Sequence, residues 1–165
     1  MIRSSRAVLL TLLFLVPAQA VSAEESVPIG SASLNIITYS GREIHVYAEV
    51  AFTDEQPIHG KTLRSDMADD HGMLFILPSS RLAKMLIKDP PATFDMLFID
   101  SYGMIREIKT ELASYSHAIV SSNEAVHYVV ELKGGMAARF GLQPGDRVKF
   151  PVFAGETHPV IKVGP

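Results

Sequence analysis

The chain has 165 residues, with 18 acidic and 15 basic side chains, six histidines, no cysteine and no tryptophan. That length suits one domain with a substantial core, and a net charge of -3 argues against a nucleic-acid partner, which calls for a basic face. The lack of cysteine excludes a disulfide scaffold, a thiolate metal site, a cysteine nucleophile and a lipidated N-terminal cysteine.

Arg3 and Arg6 precede an apolar run from Ala7 to Val16 that only Thr11 interrupts, and Pro17 ends it. Ala18-Gln19-Ala20 and Val21-Ser22-Ala23 then offer small residues at the spacing a signal peptidase reads. The segment reads as a secretory signal peptide cleaved near Ala20 or Ala23. Its apolar stretch is too short to cross ~30 Å of hydrocarbon. Removing 23 of the 165 residues leaves 142 and, because two arginines leave with them, a net charge of -5. No second hydrophobic span follows, so no membrane anchor is expected after cleavage. An exported chain that folds without disulfides suits a bacterial periplasm, or secretion.

Residues 24–33 read as a flexible lead-in. Leu34 to Tyr39 is a strand candidate and Ser40-Gly41 a turn. In Glu43 to Phe52, Ile44, Val46, Ala48, Val50 and Phe52 share one face, the mark of a half-buried strand. The two form a hairpin. Thr53 to Gly60 has the capping residue, early acids, Pro57 and terminal glycine of a short helix.

Gly72 to Leu77 is a continuous apolar run and predicts a buried strand, ended by Pro78. Leu82 to Lys88 predicts another, which Asp89-Pro90-Pro91 breaks. Phe94 to Asp100 is a third apolar strand, Ser101-Tyr102-Gly103 a turn and Met104 to Thr110 a less regular strand. Leu112 to Ser122 reads as a loop and Ala125 to Leu132 as a strand. Gly134 to Gly141 predicts a helix of one or two turns. In the following turn Gly145 supplies a positive φ and Asp146 bonds back to the main chain. Arg147 to Phe153 is a strand whose far end Pro151 demotes to an edge. The expected architecture is mainly β: a compact single-domain sandwich or barrel of about eight short strands with one or two short helices. The domain spans 34–153, and 154–165 form a tail or an edge strand.

Several segments together resemble one family. They are Val50-Ala51-Phe52-Thr53, Gly60 with Arg64, Ala68 to Phe75, Lys88, Asp95 to Asp100, Tyr102 to Ile105, and Gly134 to Val148. In this order they are similar to the DUF192 (UPF0127) family of prokaryotic proteins, over roughly Leu34 to Phe150. The resemblance implies a compact, mainly β domain and no established activity. Two stretches depart from the family. Lys61-Thr62 stand where it usually has Leu-Met after the glycine. Met85-Leu86-Ile87-Lys88-Asp89-Pro90 replaces its Phe-Trp-Met-Lys-Asn-Thr, so an aromatic stacking surface is gone.

Lys88, Asp89 and Asp95 flank a Pro-Pro loop between two strands, where a β scaffold displays functional groups. With Arg64 they are the expected ligand-binding residues. A lysine beside two carboxylates suits an anionic or hydroxylated ligand, or acid–base work; the structural alternative is an ion pair that fastens the loop. Asp69, Asp70 and His71 have the donor types of a metal site, yet no two histidines have a ligand spacing, and no metal is expected. Ser79-Ser80 lacks the surroundings of a nucleophile elbow, and phosphate-loop and dinucleotide signatures are absent, so no cofactor is expected. The methionines fall mostly at core positions.

The favoured expectation is a non-enzymatic periplasmic binding or accessory module for a small molecule or an envelope protein. The alternatives are a small enzyme acting on envelope carbohydrate through Asp89 and Asp95, or an interaction domain that uses a sheet edge.

Overall fold

A computed structural model of the protein describes residues 30–52, 58–59, 67–87, 93–112 and 118–151, the pair 58–59 by its backbone alone. Its elements are β1 (Gly30–Ile37), β2 (Glu43–Phe52), β3 (Ile58–His59), β4 (His71–Ile87), β5 (Phe94–Ile99), β6 (Ile105–Leu112), β7 (Ala118–Lys133), α1 (Met136–Phe140) and β8 (Arg147–Lys149). The strands form one sheet in the order β6-β5-β7-β4-β2-β1-β8, with β3 paired to β4 beside that path. The β2–β4 and β3–β4 pairings are parallel and the rest antiparallel.

The predicted hairpin is β1–β2. Its turn closes because Gly41 takes a φ of 80° and the Thr38 hydroxyl accepts the Arg42 amide at 3.0 Å. β1 begins at Gly30, so residues 30–33 of the expected lead-in belong to the sheet. The predicted short helix over 53–60 lies outside the described residues except for Ile58 and His59, which are extended and pair with Met85 and Leu86.

Two long strands depart from the sequence reading. The run 72–77 and the described part of 82–88, up to Ile87, are one strand, β4, of 17 residues. Pro78, which has no amide to donate, sits inside a register shift between Ile76 and Arg81, so the strand bulges there without ending. The loop expected over 112–122 is strand from Ala118 onward. Ser122 makes this possible: its hydroxyl accepts the Ala83 amide at 2.9 Å and donates to the Glu124 carbonyl at 2.8 Å, across a second irregularity of the ladder.

The bulge folds the far halves of β4 and β7 back over the sheet. Ala83, Met85, Ile87 and Val126 pack in one cluster with Met73, Phe75, Met96 and Phe98. The folded ribbon is fastened to β6 by long polar side chains. Arg106 donates to Glu124, Glu107 accepts the Asn123 main-chain and side-chain amides, and Lys109 donates to the Ser121 carbonyl at 2.6 Å.

The opposite face holds Leu34, Ile36, Val46, Val50, Leu74, Leu97, Ile99, Val130 and Leu132. Around this core the two edges of the sheet meet at a Met104–Arg147 bridge. The Val148 amide donates to Gly103 at 2.7 Å and the Ile105 amide to Asp146 at 2.9 Å. This approach requires a glycine at 103, where a Cβ would stand 2.4 Å from the Val148 carbonyl oxygen. The expected sandwich or barrel is therefore a single coiled sheet whose edges touch without closing a ladder.

Helix α1 and the turn after it follow the prediction. Gly145 has a φ of 101°, and Asp146 accepts the Gln143 and Tyr39 amides, each at 2.8 Å. Met73, Met85, Met96 and Met136 are core residues. The expected signal peptide and the tail from 152 lie outside the described residues.

Candidate functional site

Arg64, Lys88 and Asp89 lie outside the described residues. Asp95 is fully buried on β5, opposite Leu132 of β7. Its Oδ1 accepts the Glu111 amide at 2.8 Å and the Gly135 amide at 3.1 Å, and its Oδ2 accepts the Ala137 amide at 2.8 Å. Gly135 and Ala137 begin α1, which has no side-chain cap of its own, so Asp95 supplies the cap from a neighbouring strand. Glu111 is the only described residue other than glycine with a positive φ, 51°. Asp95 thus joins a strained β6 position, the Gly134-Gly135 turn and the helix. Among the described residues, its surroundings are those of an anchor.

The other face of the same strands carries a different carboxyl. Glu131 lies on β7 directly opposite Met73 of β4 on one side and Met96 of β5 on the other. The register continues outward, Met73 facing Glu49 of β2 and Met96 facing Lys109 of β6. Glu49, Met73, Glu131, Met96 and Lys109 therefore form one transverse row, because directly paired residues share a face. The next row is Ala51, Phe75, Val129 and Phe98, all apolar.

Glu131 is 6% exposed, and among the described residues its carboxyl has no hydrogen-bond or ion-pair partner. Burial pushes it up to about 8, because a charge with no compensating donor is disfavoured away from water. Met73 and Met96 are each 1% exposed, so the walls are thioether and hydrocarbon.

Beyond this row, where β4 begins and β7 ends, lies a polar rim. Lys133 donates to Asp69 at 2.9 Å, and Arg139 pairs with the other oxygen of Asp69. The Lys133 hydrogen bond and charge, with Arg139, hold Asp69 below its ordinary range. Asp70 meets the His71 Nδ1 at 2.8 Å, and the His71 ring lies 5.5 Å from that of Tyr47. The residues 69–71 thus serve separate pairs, and among the described residues no group of three His, Asp or Glu side chains could hold a metal ion. Thr93 also reaches this end: its carbonyl accepts the Gly134 amide at 2.8 Å. Thr93, the residue before β5, therefore stands beside the rim. Ser79 and Ser80 are exposed on the β4 bulge.

Sequence reasoning passed over Glu131. Local pattern gave no signal: Val126, Tyr128, Val130 and Leu132 form one apolar face, while Glu131 shares the other with His127, Val129 and Lys133, so its burial comes from the fold-back of β4 and β7.

Two crystal structures share the fold. One, from Sinorhizobium meliloti 1021 and described as a candidate transcription regulator, has 37% identity and a TM-score of 0.68, over 78% of this chain and 98% of its own. The other, from Novosphingobium aromaticivorans DSM 12444 and described as a protein of unknown function, has 23% identity and a TM-score of 0.65, over 78% and 94%. No curated protein sequence matches. The family model described as Uncharacterized ACR matches residues 36–150. The chain belongs to that family, DUF192.

Proposed function

We propose that the protein is an exported, non-enzymatic binding module that takes a small ligand on the sheet face carrying Glu131. The observation that carries this reading is a glutamate 6% exposed with no partner among the described residues. A buried polar group left without a partner is costly, and a ligand that supplies the partner offsets the cost. Lys88 and Asp89 belong to the same reading through their nearness in sequence to Thr93, which stands at the rim, and Arg64 through the motif that carries the family resemblance. Asp95 enters it as a positioning residue, since three main-chain amides occupy its oxygens.

The leader supports export to the periplasm: two arginines, a short apolar run and small residues at the cut. The acidic balance of the chain does not favour carrying over the transcription-regulator description of the Sinorhizobium relative. The sheet-edge reading is disfavoured at β6, whose side chains are engaged by the ribbon.

The test is a thermal-shift screen of small molecules on the purified protein and on Glu131→Gln in parallel. The expected result is a compound that raises the wild-type Tm by several degrees and leaves the variant unmoved. Ligands that stabilise both proteins equally, or none that stabilise either, would overturn the reading. Mass spectrometry of the periplasmic form should show an N-terminus after Ala20 or Ala23; an intact leader would remove export.

A further inference from the structure

We propose that Met73, Glu131 and Met96 hold a soft monovalent metal cation of the Cu(I) or Ag(I) class. The proposal rests on the preceding reading of this face and names its ligand. The three residues sit on adjacent strands β4, β7 and β5, with Glu131 directly paired to both methionines. Directly paired side chains on one face have Cβ atoms about 5 Å apart, so two thioethers flank one carboxyl within the reach of long side chains.

The donor set selects the metal class. Thioether sulfur is a soft donor that favours Cu(I), whereas Mg(II) and Ca(II) require several oxygens. Between the two methionines the row gives one carboxyl, with Glu49 one strand beyond Met73, and no cluster of three acids or histidines supplements it among the described residues. A carboxylate also balances one positive charge, so a monovalent ion leaves the buried site neutral.

The surroundings agree. Lys109, one strand beyond Met96, has its ammonium held by the Ser121 carbonyl at 2.6 Å and Glu107 at 3.3 Å, away from the row's centre. The apolar row of Phe75, Val129 and Phe98 on the inner side keeps hard, strongly hydrated ions out. Core packing alone accounts for Met73 and Met96. It does not account for a carboxyl that, among the described residues, has no partner and is placed between them.

The test is titration of the purified protein with Ag(I) in chloride-free buffer, followed by calorimetry and by competition with a Cu(I) chelator. The expected result is one equivalent bound. Met73→Leu, Met96→Leu and Glu131→Gln should each weaken binding at least tenfold. The two leucine variants preserve core volume, so circular dichroism should show the native fold. Absence of a one-equivalent site, or equal binding by the Met73→Leu/Met96→Leu double variant, would overturn the proposal. If Ag(I) fails while the thermal-shift screen gives a Glu131-dependent organic ligand, the metal assignment falls and the binding-module reading stands. If both fail, both fall.

Discussion

Asp95 and Glu131 are buried carboxyls on adjacent strands, one residue apart in register and on opposite faces of one sheet. Asp95 accepts three main-chain amides, whereas Glu131 has no partner among the described residues. The first is a charge placed where the fold has donors to satisfy. The second is a group for which the described fold has made no provision. Burial alone does not mark a functional carboxyl; what the surrounding donors do decides between anchor and site.

The contrast is sharpest on removal. Asp95→Ala strands three main-chain amides, one of them buried at the start of α1, and should cost about 3 kcal/mol in denaturant unfolding. Asp95→Asn keeps one acceptor oxygen and should cost about half as much. A loss well below 1 kcal/mol for the alanine variant would show that the amides find other partners.

Glu131 should behave oppositely. Its carboxyl is raised from 4.5 to about 8, so the folded state holds its proton more tightly than the unfolded chain. Stability from this group is therefore full below about 4.5, declines as pH rises to about 8 and levels off above it. Glu131→Gln should remove that decline and be more stable than wild type at pH 8, on the order of 3 kcal/mol. A variant with the wild-type slope between pH 5 and 8 would place the titration elsewhere.

The smallest effect belongs to the rim. Asp69 pairs with Lys133 and Arg139 in water-accessible positions, where ion pairs contribute little. Asp69→Asn should barely move the denaturant midpoint, and about 1 M salt should erase the difference. A shift comparable to that of Asp95→Ala would make the rim a structural element.

Much of the fold was legible. Period-two alternation located β2, glycine and proline located the turn at Gly41 and the turn after α1, and the apolar run 94–99 located β5. Two strand extents were not. Pro78 reads locally as a terminator, yet β4 continues past it because β7 supplies a partner on the far side. Ser121 and Ser122 read as loop, yet the Ser122 hydroxyl replaces a ladder bond that only the fold-back creates. The site was harder still: Asp95 was singled out for its place near a loop, and the structure turns it inward to α1.

The sequence by itself determined the family, the mainly β class and the local turns. These depend on residues near one another along the chain, where periodicity and backbone preference act. Only the tertiary structure decided that one sheet folds over itself, that Asp95 caps α1 and that Glu131 lies buried between two methionines, with no partner among the described residues. Each of these is a statement about partners on other strands, set by long-range pairing and burial that neighbouring residues do not encode.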